Sequence, residues 1–201
     1  MSEIDYWFTT GSTYNYLVVK RLDAIEKETG ISFRWRPFSM WKILREMKHV
    51  PFADKPAKAA YMWRDLQRRA QMFGLTPRIP APYPAQQVPF GVQVAFLGMR
   101  EGWGKAFVKT SYDRWFDEGV EPYIDPCLSE TLAGLGQDPA RVIAAANGEE
   151  NNRLLDAETD LARSLGLFGA PTFVVRGELF WGHDRLDDAI QWHRHGTLTP
   201  R

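Results

Sequence analysis

Apolar residues recur along this chain with two different periods, and each change of period marks a change of element. Ile4-Asp5-Tyr6-Trp7-Phe8-Thr9-Thr10 is dense in aromatic and β-branched side chains and predicts a strand. Gly11 and Ser12 break it. From Thr13 to Thr29, Tyr14, Leu17, Val18, Leu22 and Ile25 fall at helical spacing, and Gly30 stands where a left-handed residue commonly ends a helix. Ile31 to Phe38 alternates apolar and basic residues around Trp35 and predicts a second strand. A 17-residue crossover between the two strands predicts that they run parallel.

The middle of the chain reads as helix. Lys55–Phe73 carries Tyr61, Met62, Leu66, Ala70 and Phe73 and is closed by Gly74. A proline-rich connector, Pro77–Pro89, follows. Helices are then predicted over Phe90–Glu101, Lys105–Glu118, Ser129–Leu135, Pro139–Asn147 and Glu149–Leu165. Strand signals return in Thr172–Arg176 and Leu179–Trp181, which flank Gly177 as a short hairpin. Asp184–His195 predicts a closing helix with Asp184 as its N-cap. A βαβ unit thus opens the chain, a ββα unit closes it, and helices lie between. The fold class is α/β, a thioredoxin-like domain over residues 1–40 and 167–201 with a large all-helical insertion over 41–166. An all-helical protein with stray strands is the alternative, and the aromatic, β-branched character of both ends argues against it.

Two segments about 160 residues apart carry the chemistry: Ser12-Thr13-Tyr14-Asn15 and Gly169-Ala170-Pro171-Thr172. In a thioredoxin-like fold these places meet and grip a thiol. Ser12 reads as an N-cap, accepting from a free amide of the first helical turn. It also reads as a donor to a sulfur held at a helix N-terminus, where a thiolate is favoured. The two readings are compatible. Pro171 reads as an ordinary turn proline or as a cis proline. In the cis form the backbone of Ala170 would be turned toward a bound peptide, which could add as a strand. The cysteinyl part of glutathione fits that mode. Lys58 is a solvated helix charge, or the partner of a glycyl carboxylate. Asp184 is a cap, or the partner of a γ-glutamyl ammonium.

His49 in its loop reads as a solvated or locally bonded side chain. His193 and His195 lie on different faces of their helix and do not form a metal pair. Trp7, Trp35, Trp41 and Trp63 read as core before they read as an aromatic substrate pocket. Cys127 follows Asp125-Pro126 in a predicted loop and reads as a small apolar filler.

Composition narrows the class. The 201 residues suffice for one domain with an insertion, and 25 basic against 25 acidic residues leave no net charge. That balance recruits neither nucleic acid nor a membrane surface. Apolar runs are too short to span a bilayer, and Met-Ser-Glu-Ile-Asp lacks the features of a signal peptide. Cys127 is the single cysteine, so an internal disulfide is impossible and a reducing, cytoplasmic setting is expected.

Four blocks together carry a resemblance. They are Gly11-Ser12-Thr13-Tyr14-Asn15-Tyr16-Leu17, Pro56-Ala57-Lys58-Ala59-Ala60-Tyr61-Met62-Trp63-Arg64-Asp65-Leu66, Gly166-Leu167-Phe168-Gly169-Ala170-Pro171-Thr172-Phe173, and Gly177-Glu178-Leu179-Phe180-Trp181-Gly182-His183-Asp184-Arg185-Leu186. Over nearly its whole length the chain resembles the 2-hydroxychromene-2-carboxylate isomerases, relatives of the kappa-class glutathione transferases and of bacterial disulfide oxidoreductases. The resemblance implies a homodimeric, glutathione-dependent isomerase of a small aromatic substrate from aromatic catabolism. It puts the catalytic serine on Ser12, the cis proline on Pro171, a backbone contact to the glutathione cysteine on Ala170, and a glutathione lysine on Lys58. It puts the γ-glutamyl contacts on His183 and Asp184, and His49 where an asparagine near glutathione is common. Thr13 stands where proline is common and Asn15 where a second serine is common. With Ser12 and Asn15 at the two sulfur positions, a disulfide oxidoreductase is disfavoured. A conjugating glutathione transferase and a non-catalytic thiol-binding module are the rivals.

Overall fold

The computed structural model describes residues 3–50, 52 and 55–199. In chain order the elements are β1 (Glu3–Phe8), α1 (Thr13–Val19), α2 (Leu22–Thr29), β2 (Ser32–Pro37), α3 (Met40–Glu46), α4 (Pro56–Met72), α5 (Val88–Glu101) and α6 (Gly104–Tyr112). A π-helical stretch, Asp113–Glu118, extends α6. There follow α7 (Cys127–Gly134), α8 (Pro139–Asn147), α9 (Glu149–Ser164), β3 (Thr172–Val175), β4 (Glu178–Trp181), a 3₁₀ turn (His183–Arg185) and α10 (Leu186–His195). The strands form one mixed sheet in the order β2-β1-β3-β4. β1 and β2 are parallel, as the crossover predicts, and β3 runs antiparallel to both β1 and β4. This is a thioredoxin-like domain with helices inserted between β2 and β3.

Strand alternation decides what each face of the sheet meets. Ile4, Tyr6 and Phe8 share one face with Phe33, Trp35 and Phe173, and join the main core with Tyr16, Leu17 and Leu186. Trp7 and Val174 face the other way and pack with Phe38, with Met40 and Ile43 of α3, and with Ala162 of α9. The basic positions of β2 fall on that second face. Arg34 lies opposite Asp5 and bonds it through two N–H groups at 2.6 and 2.9 Å. Arg36, opposite Trp7, sits 4.3 Å from its ring and forks onto Glu158 of α9 at 2.6 and 2.9 Å. Arg36 therefore pins α9 onto the sheet. β3 and β4 turn through Arg176 and Gly177, both with positive φ (53° and 86°), as a two-residue hairpin requires.

Several boundaries depart from the sequence expectation. The predicted helix over Thr13–Thr29 is two helices, because Lys20 and Arg21 form a turn between them and Arg21 N–H donates to Val18 O at 2.9 Å. The side chains of that turn are held by the insertion. Lys20 reaches Asp113 and Asp117 at 2.7 and 2.9 Å, and Arg21 lies 3.7 Å from the Phe73 ring. Helix α3 was not anticipated, since its seven residues are too few to show a period. Cys127 is not in a loop: it is the first residue of α7, buried, with its thiol pKa pushed up by desolvation. Asp184 does not cap the closing helix. It sits inside the 3₁₀ turn, and Arg185 takes the N-cap position of α10 with no side-chain cap bond. Among the described residues no helix is long and apolar enough to cross a membrane.

Candidate active site

The loop from Thr9 to Ser12 joins β1 to α1 and is fixed from below by buried polar groups. Asn15, fully buried, donates through Nδ2 to Thr9 O at 2.7 Å and accepts from the Tyr6 hydroxyl at 3.2 Å. The Tyr112 hydroxyl reaches Thr9 O at 3.2 Å and Ser12 O at 2.9 Å, and Tyr123 donates to Thr10 O at 3.0 Å. Burial pushes the phenols of Tyr6 and Tyr112 well above their ordinary range, so they act as fixed donors. Asn15 thus works as a brace beneath the loop.

Ser12 occupies the N-cap position of α1 with an extended backbone, but its side chain caps nothing. Its hydroxyl instead donates to Ala170 O at 3.0 Å, a contact across 158 residues. The Ala170-Pro171 bond is cis. The two segments singled out in the sequence therefore meet, and the hydroxyl is aimed at the opposite segment and away from its own helix.

Beside this contact lies a cleft of about 480 Å³, lined by Tyr14 of α1, Tyr61, Asp65 and Arg69 of α4, Ala170, Pro171, and Trp181 through Arg185. Its volume falls in the usual range of small-molecule sites, about 300–1,000 Å³. One wall is a parallel stack of Tyr14 on His183, centroids 5.1 Å apart and planes 5° apart. The Tyr14 hydroxyl donates to Asp65 at 3.0 Å, and burial and that carboxylate push its pKa up. His183 is buried, and its Nδ1 has no hydrogen-bond partner. Desolvation lowers the pKa of His183 against the opposing pull of Asp184, so the ring is a neutral imidazole at neutral pH. Asp184 and Arg185 pair at 3.0 Å at the rim.

Of the residues predicted from sequence, Ala170, Pro171, His183 and Asp184 line this cleft, and Ser12 adjoins it through Ala170. Lys58 and His49 are not in the lining. Lys58 is exposed near the start of α4, 5.3 Å from the Phe52 ring. It shares a helix face with Tyr61, Asp65 and Arg69 and stands one turn beyond them. His49 follows α3, and its backbone N–H bonds Leu44 O at 2.8 Å. Trp7 and Trp35 are core, Trp63 is half-buried, and Trp41 is exposed. The tryptophan at the cleft is Trp181. Asp65, Arg69 and the cleft role of Tyr14 were missed. The signal for two of them was the recurrence of Tyr61, Asp65 and Arg69 every four residues on one face of α4.

The geometry also tests whether glutathione fits. The cleft offers a peptide carbonyl at Ala170, an unpartnered imidazole nitrogen at His183 and charged side chains of both signs, with the Ser12 hydroxyl beside it. A zwitterionic thiol peptide matches that set.

The profile of the DSBA-like thioredoxin domain matches residues 3–191. The chain is 24% identical over 185 residues to a 2-hydroxychromene-2-carboxylate isomerase of Pseudomonas putida, covering 91% of this chain and 90% of that protein. It is 23% identical over 200 residues to glutathione S-transferase kappa 1 of Caenorhabditis elegans, covering 92% and 88%. Among solved structures, a 2-hydroxychromene-2-carboxylate isomerase superposes with a TM-score of 0.82 at 24% identity, covering 93% of this chain and 92% of that one.

Proposed function

The chain belongs to the DSBA-like thioredoxin domain family, and from that premise we propose that it is a glutathione-dependent isomerase of a 2-hydroxychromene-2-carboxylate-type aromatic substrate. The observation that carries this reading is the Ser12–Ala170 hydrogen bond beside a cleft that holds no cysteine of its own. The similarity to isomerases and to a kappa transferase, over about nine-tenths of the chain, supports an enzyme that works with a borrowed thiol.

When bound, glutathione supplies a thiolate that adds reversibly to a conjugated double bond, so that the bond can rotate before it is restored. The protein's part is to hold and orient. Ser12 has one hydroxyl proton, which now goes to Ala170 O. If Ser12 donates instead to the sulfur, that carbonyl is released and can accept the cysteinyl N–H of the incoming peptide as an added strand. The exchange leaves neither group without a partner. Asp184 pairs with the γ-glutamyl ammonium, His183 offers Nδ1 at the same end, and Lys58, one turn along α4, meets the glycyl carboxylate. His49, from the loop after α3, is a further contact to glutathione in this reading. The buried brace of Asn15, Tyr6 and Tyr112 keeps the loop from moving with the load. In this reading the protein works as a cytoplasmic homodimer on a small aromatic acid.

The test is Ser12→Ala. Isomerisation of 2-hydroxychromene-2-carboxylate, followed by absorbance with glutathione present, should fall about tenfold to a hundredfold in kcat, as for loss of one hydrogen bond to a charged group. Glutathione affinity should change little. An unaltered kcat would remove Ser12 from the mechanism. The relative named as a kappa transferase keeps a second reading alive, release of a conjugate. A stable thioether formed from an aryl halide, with no chromene turnover, would favour it.

A further inference from the structure

Four charged side chains line the cleft, and three already have partners. Asp65 accepts from the Tyr14 hydroxyl at 3.0 Å and from Arg68 at 3.3 Å. Asp184 pairs with Arg185 at 3.0 Å, and Arg185 also reaches Asp188 at 2.8 Å. The Arg69 side chain, of intermediate exposure, makes no hydrogen bond or ion pair with any described residue. Its position is set by α4, which carries Tyr61, Asp65 and Arg69 on successive turns facing the cleft.

A guanidinium with five donors, unpaired on the wall of a cleft, is open to an acceptor brought by a ligand. The group that satisfies it best is a carboxylate, which accepts two parallel N–H bonds from the planar fork. The neighbourhood narrows the choice. Asp65 lies one turn back on the same helix, and Asp184 lies across the cleft. A simple polyanion would face both. A head that carries an ammonium beside its carboxylate meets the two signs together. Glutathione has one such group, the α-amino-acid end of its γ-glutamyl residue.

We infer that Arg69 binds the α-carboxylate of the γ-glutamyl head of glutathione, and so makes the site selective for γ-glutamyl thiols over shorter ones. This rests on the glutathione reading given above and adds a residue beyond the blocks that carry the family resemblance, which end at Leu66 on this helix.

Binding measured by calorimetry separates the possibilities with two ligands. One is reduced glutathione. The other is 4-aminobutyryl-cysteinylglycine, which lacks only that α-carboxylate. Arg69→Gln should weaken glutathione about tenfold to a hundredfold, as for loss of a charged hydrogen-bonding partner, and leave the truncated ligand unchanged. Arg69→Lys keeps the charge without the fork, and its affinity for glutathione should fall between the two. Equal affinities of wild type and both variants for glutathione would overturn the assignment. So would equal losses for the two ligands. Failure of the unsubstituted protein to bind either ligand would bring down the glutathione reading itself, and this assignment with it.

Discussion

Replacing Asn15 by aspartate tests the brace under the Ser12 loop with almost no change in shape. Asn15 is sealed from solvent, with its amide donating to Thr9 O at 2.7 Å and its oxygen accepting from the Tyr6 hydroxyl at 3.2 Å. In the protonated acid the O–H can replace the lost N–H toward Thr9, and the carbonyl oxygen still accepts from Tyr6. In the ionised form the donor is gone, and a buried carboxylate confronts the Thr9 carbonyl. Burial and that carbonyl both favour the proton, so in Asn15→Asp the folded state holds it to higher pH than the unfolded chain, which releases it near about pH 3.9. The sign follows. Stability relative to wild type is present below the unfolded value and is lost as pH rises toward the folded one. The slope is about 1.4 kcal/mol per pH unit while only the folded state is protonated, so about 2–3 kcal/mol separates pH 5 from pH 7. The assay is urea unfolding of wild type and Asn15→Asp in parallel at pH 5, 6 and 7, followed by tryptophan fluorescence. The difference in unfolding free energy should widen with pH. A difference that stays flat, or narrows, would mean that water reaches position 15 and that the loop is not braced as described.

Two further outcomes follow from the geometry. A Cβ added at Gly91 would meet the Tyr123 ring at 2.7 Å, so Gly91→Ala must push aside the residue that holds Thr10 O, at a cost of about 1–3 kcal/mol. An unshifted thermal midpoint would show that Tyr123 yields freely. His183 is buried with a lowered pKa, so it contributes stability that is complete above the unfolded value of about 6.5 and is lost as pH falls through the lowered folded value. His183→Phe keeps a ring against Tyr14 and removes the titration. Its stability relative to wild type should rise as pH drops from 7 to 5, and parallel pH profiles for the two proteins would refute the burial argument.

The local chemistry of the chain made the scaffold legible. Aromatic and β-branched clustering marked β1 and β3, alternation marked β2, and Gly177 marked the turn between β3 and β4. The parallel pairing of β1 with β2 followed from crossover length alone, since a hairpin cannot span it. What failed were features that depend on distant partners. Nothing between Thr13 and Thr29 signals a break at Lys20 and Arg21. The turn is held by Asp113, Asp117 and Phe73, which are far away in sequence. Asp184 has the composition of a cap, but the chain turns as 3₁₀ before α10 starts, so its carboxylate faces Arg185 and the cleft.

Sequence by itself singled out two segments at opposite ends of the chain, and determined that no sulfur of the chain stands at either. Residue type fixes that much, because a hydroxyl at Ser12 and an amide at Asn15 cannot do a thiol's work. Only the tertiary structure decided where the Ser12 proton goes and which side chains share its cleft. The hydroxyl bonds Ala170 and does not cap its helix. Arg69 and Asp65 face His183 and Asp184 across a space bounded by three separate parts of the chain. A hydrogen bond is settled by which acceptor lies within about 3 Å, and for residues more than a hundred positions apart that distance exists only once the sheet and the insertion have packed.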